Sequence, residues 1–68
     1  MNKRLKAKIF EVFGSQADFA KAIGHPESTV SRVVRGRRVL PKKERKRWAE
    51  SLHCDVAEIF PETSEGGS

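Results

Sequence analysis

Sixty-eight residues make one domain, and a domain this small buries only about 60% of the surface its unfolded chain exposes, so a deep catalytic cleft is not expected. The composition, 14 Lys and Arg against 9 Asp and Glu for a net charge of +5, includes a single cysteine, Cys54, which excludes an internal disulfide framework. No apolar run is long enough for a signal peptide or a membrane span, so the expected setting is soluble and cytoplasmic.

In chain order the apolar spacing predicts five short helices, three of them ended by the glycines Gly14, Gly24 and Gly36. The first, about 3–13, places Leu5, Ile9, Val12 and Phe13 on one face. The second opens at "SQAD", where Ser15 and Asp18 have the spacing of a capping box, and turns Phe19, Ala20 and Ile23 inward. A third begins near Pro26, a residue suited to a first helical turn, and runs to about Val34. The fourth starts around Pro41 and carries Trp48, Ala49 and Leu52 to the core. The fifth is a short turn opened by a second capping box, Asp55 and Glu58, and delivers Ile59 and Phe60. The domain is expected to span residues 1–60, with residues 61–68 as a disordered tail because "ETSEGGS" has nothing to bury. No segment shows strand periodicity, so the fold class is all-α.

Helices two and three are joined by Gly24 and His25 with Pro26 at the junction, so they meet steeply, as in a helix-turn-helix whose second helix enters the major groove. At 100° per residue Val30, Val33 and Val34 form the buried face of the third helix. Ser28, Arg32 and Arg35 then point outward, with Ser31 beside them. Hydroxyls and arginines suit base edges and phosphates, and Arg can grip guanine O6 and N7 together. The charge distribution agrees. All 14 bases lie in residues 1–47 with four acids, while residues 48–68 hold five acids and no base. Between Arg32 and Arg47 nine bases stand against Glu44 alone, a density that calls for a polyanion partner.

The stretch "SQADFAKAIGHPESTVSRVVRGRR" resembles the helix-turn-helix of the phage repressor and Cro family, the XRE-type regulators, in which a Ser-Gln pair opens the second helix and "STVSR" lies in the recognition helix. The similarity extends through "RWAESLHCDVAEIFPE" and so covers nearly the whole chain. The resemblance implies a five-helix, lambda-repressor-like domain that binds operator DNA, usually as a two-fold dimer. By position it places Gln16 on phosphate, Glu27, Ser28, Ser31 and Arg32 facing the bases, and Arg35, Arg37 and Arg38 along the backbone, with Thr29 of the same helix counted among the DNA-binding residues.

Two departures from the family pattern bear on this. Pro26 stands where the family often has a Ser or Thr cap, so the cap comes from His25 or is absent. The fourth helix opens at "VLPKK" without a good cap, and Lys42 and Lys43 sit in its first turn, where the helix dipole disfavours cations. A phosphate there reverses the penalty, so the loop from Arg37 to Lys43 is expected to track the DNA backbone without specifying sequence. Glu27 has two possible reasons to be acidic: it complements the helix N-terminus, or it accepts from cytosine N4.

Other functions fit less well. His25, His53 and Cys54 form no recognised zinc spacing, so no metal or other cofactor is expected, and a Cys-His neighbour pair without an orienting carboxylate does not make a nucleophile and base, so no enzyme is expected. Cys54 and Trp48 fit as core residues, the indole N–H needing a partner. An antitoxin-like interaction module that represses its own operon is the alternative, although no extra segment to wrap a toxin is evident. A membrane-active cationic peptide conflicts with the caps and shared core. One domain reads half of a palindromic operator, so a weak homodimer is expected, pairing on DNA, with its seam near Ile59, Phe60 and the loop before them.

Overall fold

A computed structural model describes residues 1–61 of the chain. Five helices follow in order, α1 (Lys3–Phe13), α2 (Gln16–Ile23), α3 (Glu27–Val34), α4 (Lys42–Ser51) and α5 (Val56–Ile59), and no strand occurs among the described residues. The helix boundaries match the sequence expectation closely because each boundary is set by a local signal. The expected disordered tail lies, from residue 62 onward, outside the described residues.

Three helices end in the same way. A residue at the C-cap of α2, and just after it in α3 and α4, takes a left-handed conformation, and the next N–H reaches back to a carbonyl five residues earlier, which satisfies otherwise orphaned acceptors. His25 N–H donates to the Ala20 carbonyl at 3.0 Å across Gly24, and Arg37 N–H donates to the Arg32 carbonyl at 2.9 Å across Gly36. At the end of α4, Cys54 N–H donates to the Ala49 carbonyl at 3.0 Å, and here the left-handed position is His53, with φ 55°.

The starts of the helices differ. Ser15 Oγ accepts from Asp18 N–H at 3.1 Å, but the Asp18 carboxylate does not return the bond, so only half of the expected box on α2 forms. Asp18 is exposed and hydrated, and an acid in a first turn is favoured by the dipole without that bond. On α5 the box is present, with Glu58 Oε2 accepting from Asp55 N–H at 3.1 Å.

One core joins all five helices. Leu5 and Ile9 of α1, Phe19, Ala20 and Ile23 of α2, Val30, Val33 and Val34 of α3, Trp48 and Ala49 of α4, and Ile59 of α5 are buried. Leu40, Leu52 and Phe60, outside the helices, complete it. Trp48 is its centre, edge-on to Phe19 at 5.1 Å between ring centroids and tilted against Phe60 at 6.3 Å. Aromatic contacts of this kind add about 0.5–1.5 kcal/mol beyond the area they bury. Val12 departs from expectation: it is exposed, and Phe13 is only half-buried. Phe13 meets Phe19 at 5.3 Å, so the corner between α1 and α2 covers the Phe13 side of the last turn and leaves Val12 to solvent.

Asn2 closes the structure. Its Oδ1 accepts from Leu5 N–H at 3.0 Å and caps α1, its Nδ2 donates to the Ile59 carbonyl, and its backbone N–H donates to the Val34 carbonyl at 2.7 Å. One residue before the first helix thereby holds α5 and the C-terminal end of α3.

Candidate nucleic-acid interface

The third helix presents two distinct surfaces. Val30, Val33 and Val34 are buried, while Glu27, Ser28, Arg32 and Arg35 are exposed and Thr29 and Ser31 lie half-buried on the flanks. This is the split that helical spacing predicts. Gln16 occupies the first position of α2, half-buried, and Arg37, Arg38, Lys42 and Lys43 are all exposed. Neither α3 nor α4 has a side chain capping its start: Pro26 and Pro41 hold the cap positions and offer no acceptor. At each start the acid in the first turn, Glu27 on α3 and Glu44 on α4, is what complements the partial positive charge of the helix end.

His25 does not supply the missing cap. Its Nε2 lies 3.0 Å from Glu44 Oε1, with the two side chains about a quarter exposed (25% and 30%). The ring also stands over Trp48 at 6.1 Å between centroids. Glu44 is the third residue of α4, so this contact brings the turn that carries Lys42 and Lys43 against the junction of α2 and α3. The electrostatic effect is as important as the geometry. Among the described residues, only Lys8 with Glu11 at 3.7 Å and His25 with Glu44 bring a base and an acid within 4.0 Å. The one acid of the Arg32–Arg47 run is thus turned toward His25, and the arginines and lysines around it, all exposed except the half-buried Arg45, have no acidic partner within 4.0 Å among the described residues.

Sequence reasoning missed one residue and one contact that shape this surface. Leu40 is 3% exposed and anchors the loop between α3 and α4 to the core. A single apolar side chain between Val39 and Pro41 has no periodicity to reveal it. The His25–Glu44 contact spans 19 positions and leaves no local signature either, although an acid isolated in a basic run is a weak signal.

Other expectations resolve as follows. The indole Nε1 of Trp48 is buried and has no hydrogen-bond partner among the described residues, contrary to the expectation that it finds one. Cys54 is half-buried against the core, and its thiol is pushed above the ordinary value of 9.0 by burial first and then by Glu58 and Asp55, with Lys8 opposing. That shift makes the thiolate scarcer. His53 is exposed at the helix end. Of the expected dimer seam, Ile59 and Phe60 are buried in their own core, 0% and 6% exposed, whereas His53 and Asp55 in the loop before them are exposed. The described residues hold no cluster of three or more His, Cys, Asp or Glu placed to bind a metal ion, and no helix is long and apolar enough to cross a membrane.

A family model described as helix-turn-helix matches residues 14–59, from the cap of α1 to the end of α5 and well over half of the chain. The chain belongs to the helix-turn-helix family. No curated protein and no solved structure matches it. The helix-turn-helix family is a family of DNA-binding domains, not of enzymes, and the five-helix arrangement is consistent with a lambda-repressor-like fold. Both helices of the motif, α2 and α3, lie inside the matched segment, whereas α1 with Leu5 and Ile9 precedes it and completes the core.

Proposed function

We propose that this helix-turn-helix protein is a sequence-specific regulator of transcription that binds operator DNA in the manner of the phage repressors and Cro. The observation that carries the proposal is the outer face of α3, where Ser28 and Arg32 stand exposed directly opposite the buried valines. In this reading α3 enters the major groove, with Ser28, Ser31 and Arg32 against base edges and Thr29 and Glu27 on the same helix at the groove. Gln16 meets a phosphate at the start of α2. Arg35, Arg37, Arg38, Lys42 and Lys43 follow the backbone and set the register of the domain without reading sequence. The contact between His25 and Glu44 supports this division, since it holds the first turn of α4 beside the start of α3.

One such domain covers half of a palindrome, and two copies spaced about 34 Å apart, one turn of DNA, cover a full operator. The protein acts in the cytoplasm as a weak homodimer that forms on DNA, and it needs no cofactor or small-molecule ligand. Six to ten phosphate contacts make affinity fall by about 10³ to 10⁵ between 50 and 200 mM salt.

Footprinting on the DNA beside the protein's own gene tests the proposal. The expected result is a protected palindrome that disappears with Ser28→Ala plus Arg32→Ala and is only weakened by Arg37→Ala plus Arg38→Ala. Equal loss on every DNA sequence with both double variants contradicts the assignment of base readout to α3.

A further inference from the structure

Behind the C-terminal end of α3 runs a groove of about 400 Å³, of whose lining the DNA-binding reading uses Arg38 alone. Its floor is apolar, formed by core side chains of Val33, Leu40 and Phe60. On its rim Val39 is 74% exposed and Met1 68%, the two most exposed large hydrophobic side chains among the described residues. Lys3, Arg4, Arg38 and Arg45 also line it, and among the described residues no acid does. None of these four cations lies within 4.0 Å of a carboxylate among the described residues. The neutral polar side chain in the wall, Asn2, is already engaged with Leu5 and Ile59.

We infer that this groove binds an acidic peptide segment of another protein, with one or two apolar side chains seated on the floor and flanking carboxylates on the cationic rim. Two properties select that occupant. A phosphate backbone is complemented by the rim but gains nothing from Val39, Met1 and an apolar floor, whereas an acidic segment with apolar anchors is complemented by both. A second copy docked on the same face brings two cationic rims together, and like charges face to face are costly. The chain's own residues 62–68, "ETSEGGS", carry two glutamates but no apolar residue to occupy the floor. The inference does not rest on the reading of α3 as a recognition helix, since DNA takes no part in its test.

The test is fluorescence anisotropy of a fluorescein-labelled peptide, Glu-Leu-Glu-Glu-Phe-Glu-Glu-Leu, titrated with the full chain at low salt. Two controls replace its apolar residues by Ser or its glutamates by Gln. The expected result is saturable binding that weakens by about tenfold or more with either control and with either Val39→Asp or Arg4→Glu in the protein. Both substituted side chains lie on the exposed surface, so the variants keep the fold, and circular dichroism verifies it. Equal binding of the parent peptide and the Ser control overturns the proposal, because it reduces the site to unspecific charge attraction. Sedimentation equilibrium showing self-association that Val39→Asp abolishes also overturns it, by assigning the face to a second copy.

Discussion

His25 Nε2 and Glu44 Oε1 meet 3.0 Å apart across 19 positions of sequence and fasten the junction of α2 and α3 to the first turn of α4. The pair is mostly shielded from solvent, and removing either partner takes from the other the hydrogen bond that the two share. His25→Ala and Glu44→Ala should each cost about 0.5–1.5 kcal/mol. The double variant should cost little more than either alone, since interacting residues are not additive. A urea-denaturation double-mutant cycle measures this, and simple additivity excludes an energetic link between the two side chains.

Trp48 combines complete burial with an indole N–H that has no partner among the described residues. An unsatisfied buried donor costs about 1–3 kcal/mol, so deleting it recovers part of what the lost ring volume forfeits. Trp48→Phe should therefore stay within about 1.5 kcal/mol of the native protein, whereas Trp48→Ala should lose about 3–5 kcal/mol. Chemical denaturation of the two variants separates these effects. A Trp48→Phe protein as unstable as Trp48→Ala shows that the indole N–H is not the weak point.

Residues whose role is decided within one helical turn were legible in the sequence. The valine face of α3, the Asp55–Glu58 box and the endings at Gly24 and Gly36 all follow from spacing of four residues or fewer, and the structure has them. Legibility failed where a side chain answers to a distant element. Val12 has the right spacing for burial but no helix over it, His25 turns to a carboxylate on another helix, and Ile59 and Phe60, expected at a dimer seam, are consumed by packing around Trp48. The exposed residues of α3 were found because exposure is the complement of burial on a helix. What they touch does not follow from that periodicity.

The left-handed residue that ends α4 is His53, not a glycine. A side chain in that conformation costs about 1–2 kcal/mol, and glycine returns part of the gain through the entropy of the unfolded chain. His53→Gly should stabilise the domain by about 0.5–1 kcal/mol, which raises the melting temperature by a few degrees at this size. Gly24→Ala, at φ 74°, should shift it in the opposite direction. A thermal melt that orders the two variants the other way contradicts the strain argument.

For Cys54 the prediction concerns pH. Its thiol ionises above the ordinary value of 9.0 in the folded state because burial, Glu58 and Asp55 disfavour the thiolate. The folded state thus favours the neutral form. The resulting contribution to stability is fully present below about pH 9.0 and is lost as pH rises through the higher folded value. Alkylation by iodoacetamide at pH 8 should be slower than for free cysteine and should speed up on unfolding in urea. Reaction at the rate of free cysteine in the native protein is incompatible with that environment.

Glu27 stands exposed in the first turn of a helix that no side chain caps. Glu27→Gln should lower stability by about 0.3–1 kcal/mol through the lost interaction with the helix N-terminus. The preferred operator should stay the same. Selection of binding sites from a random DNA pool checks the second half, and a changed base preference assigns Glu27 to cytosine recognition instead.

Because the Asn2 side chain donates to the Ile59 carbonyl, the first and last helices of the domain start and stop beside each other. The ends of the fold are therefore a hydrogen bond apart, and a short bridge between them does not strain the core. A circularly permuted chain, opened in the exposed loop at Val39 and joined through a flexible linker from Phe60 back to Asn2, should keep the same five helices in a new order of synthesis. The same proximity suits the domain to insertion within a surface loop of a larger host, since both connections leave from one point.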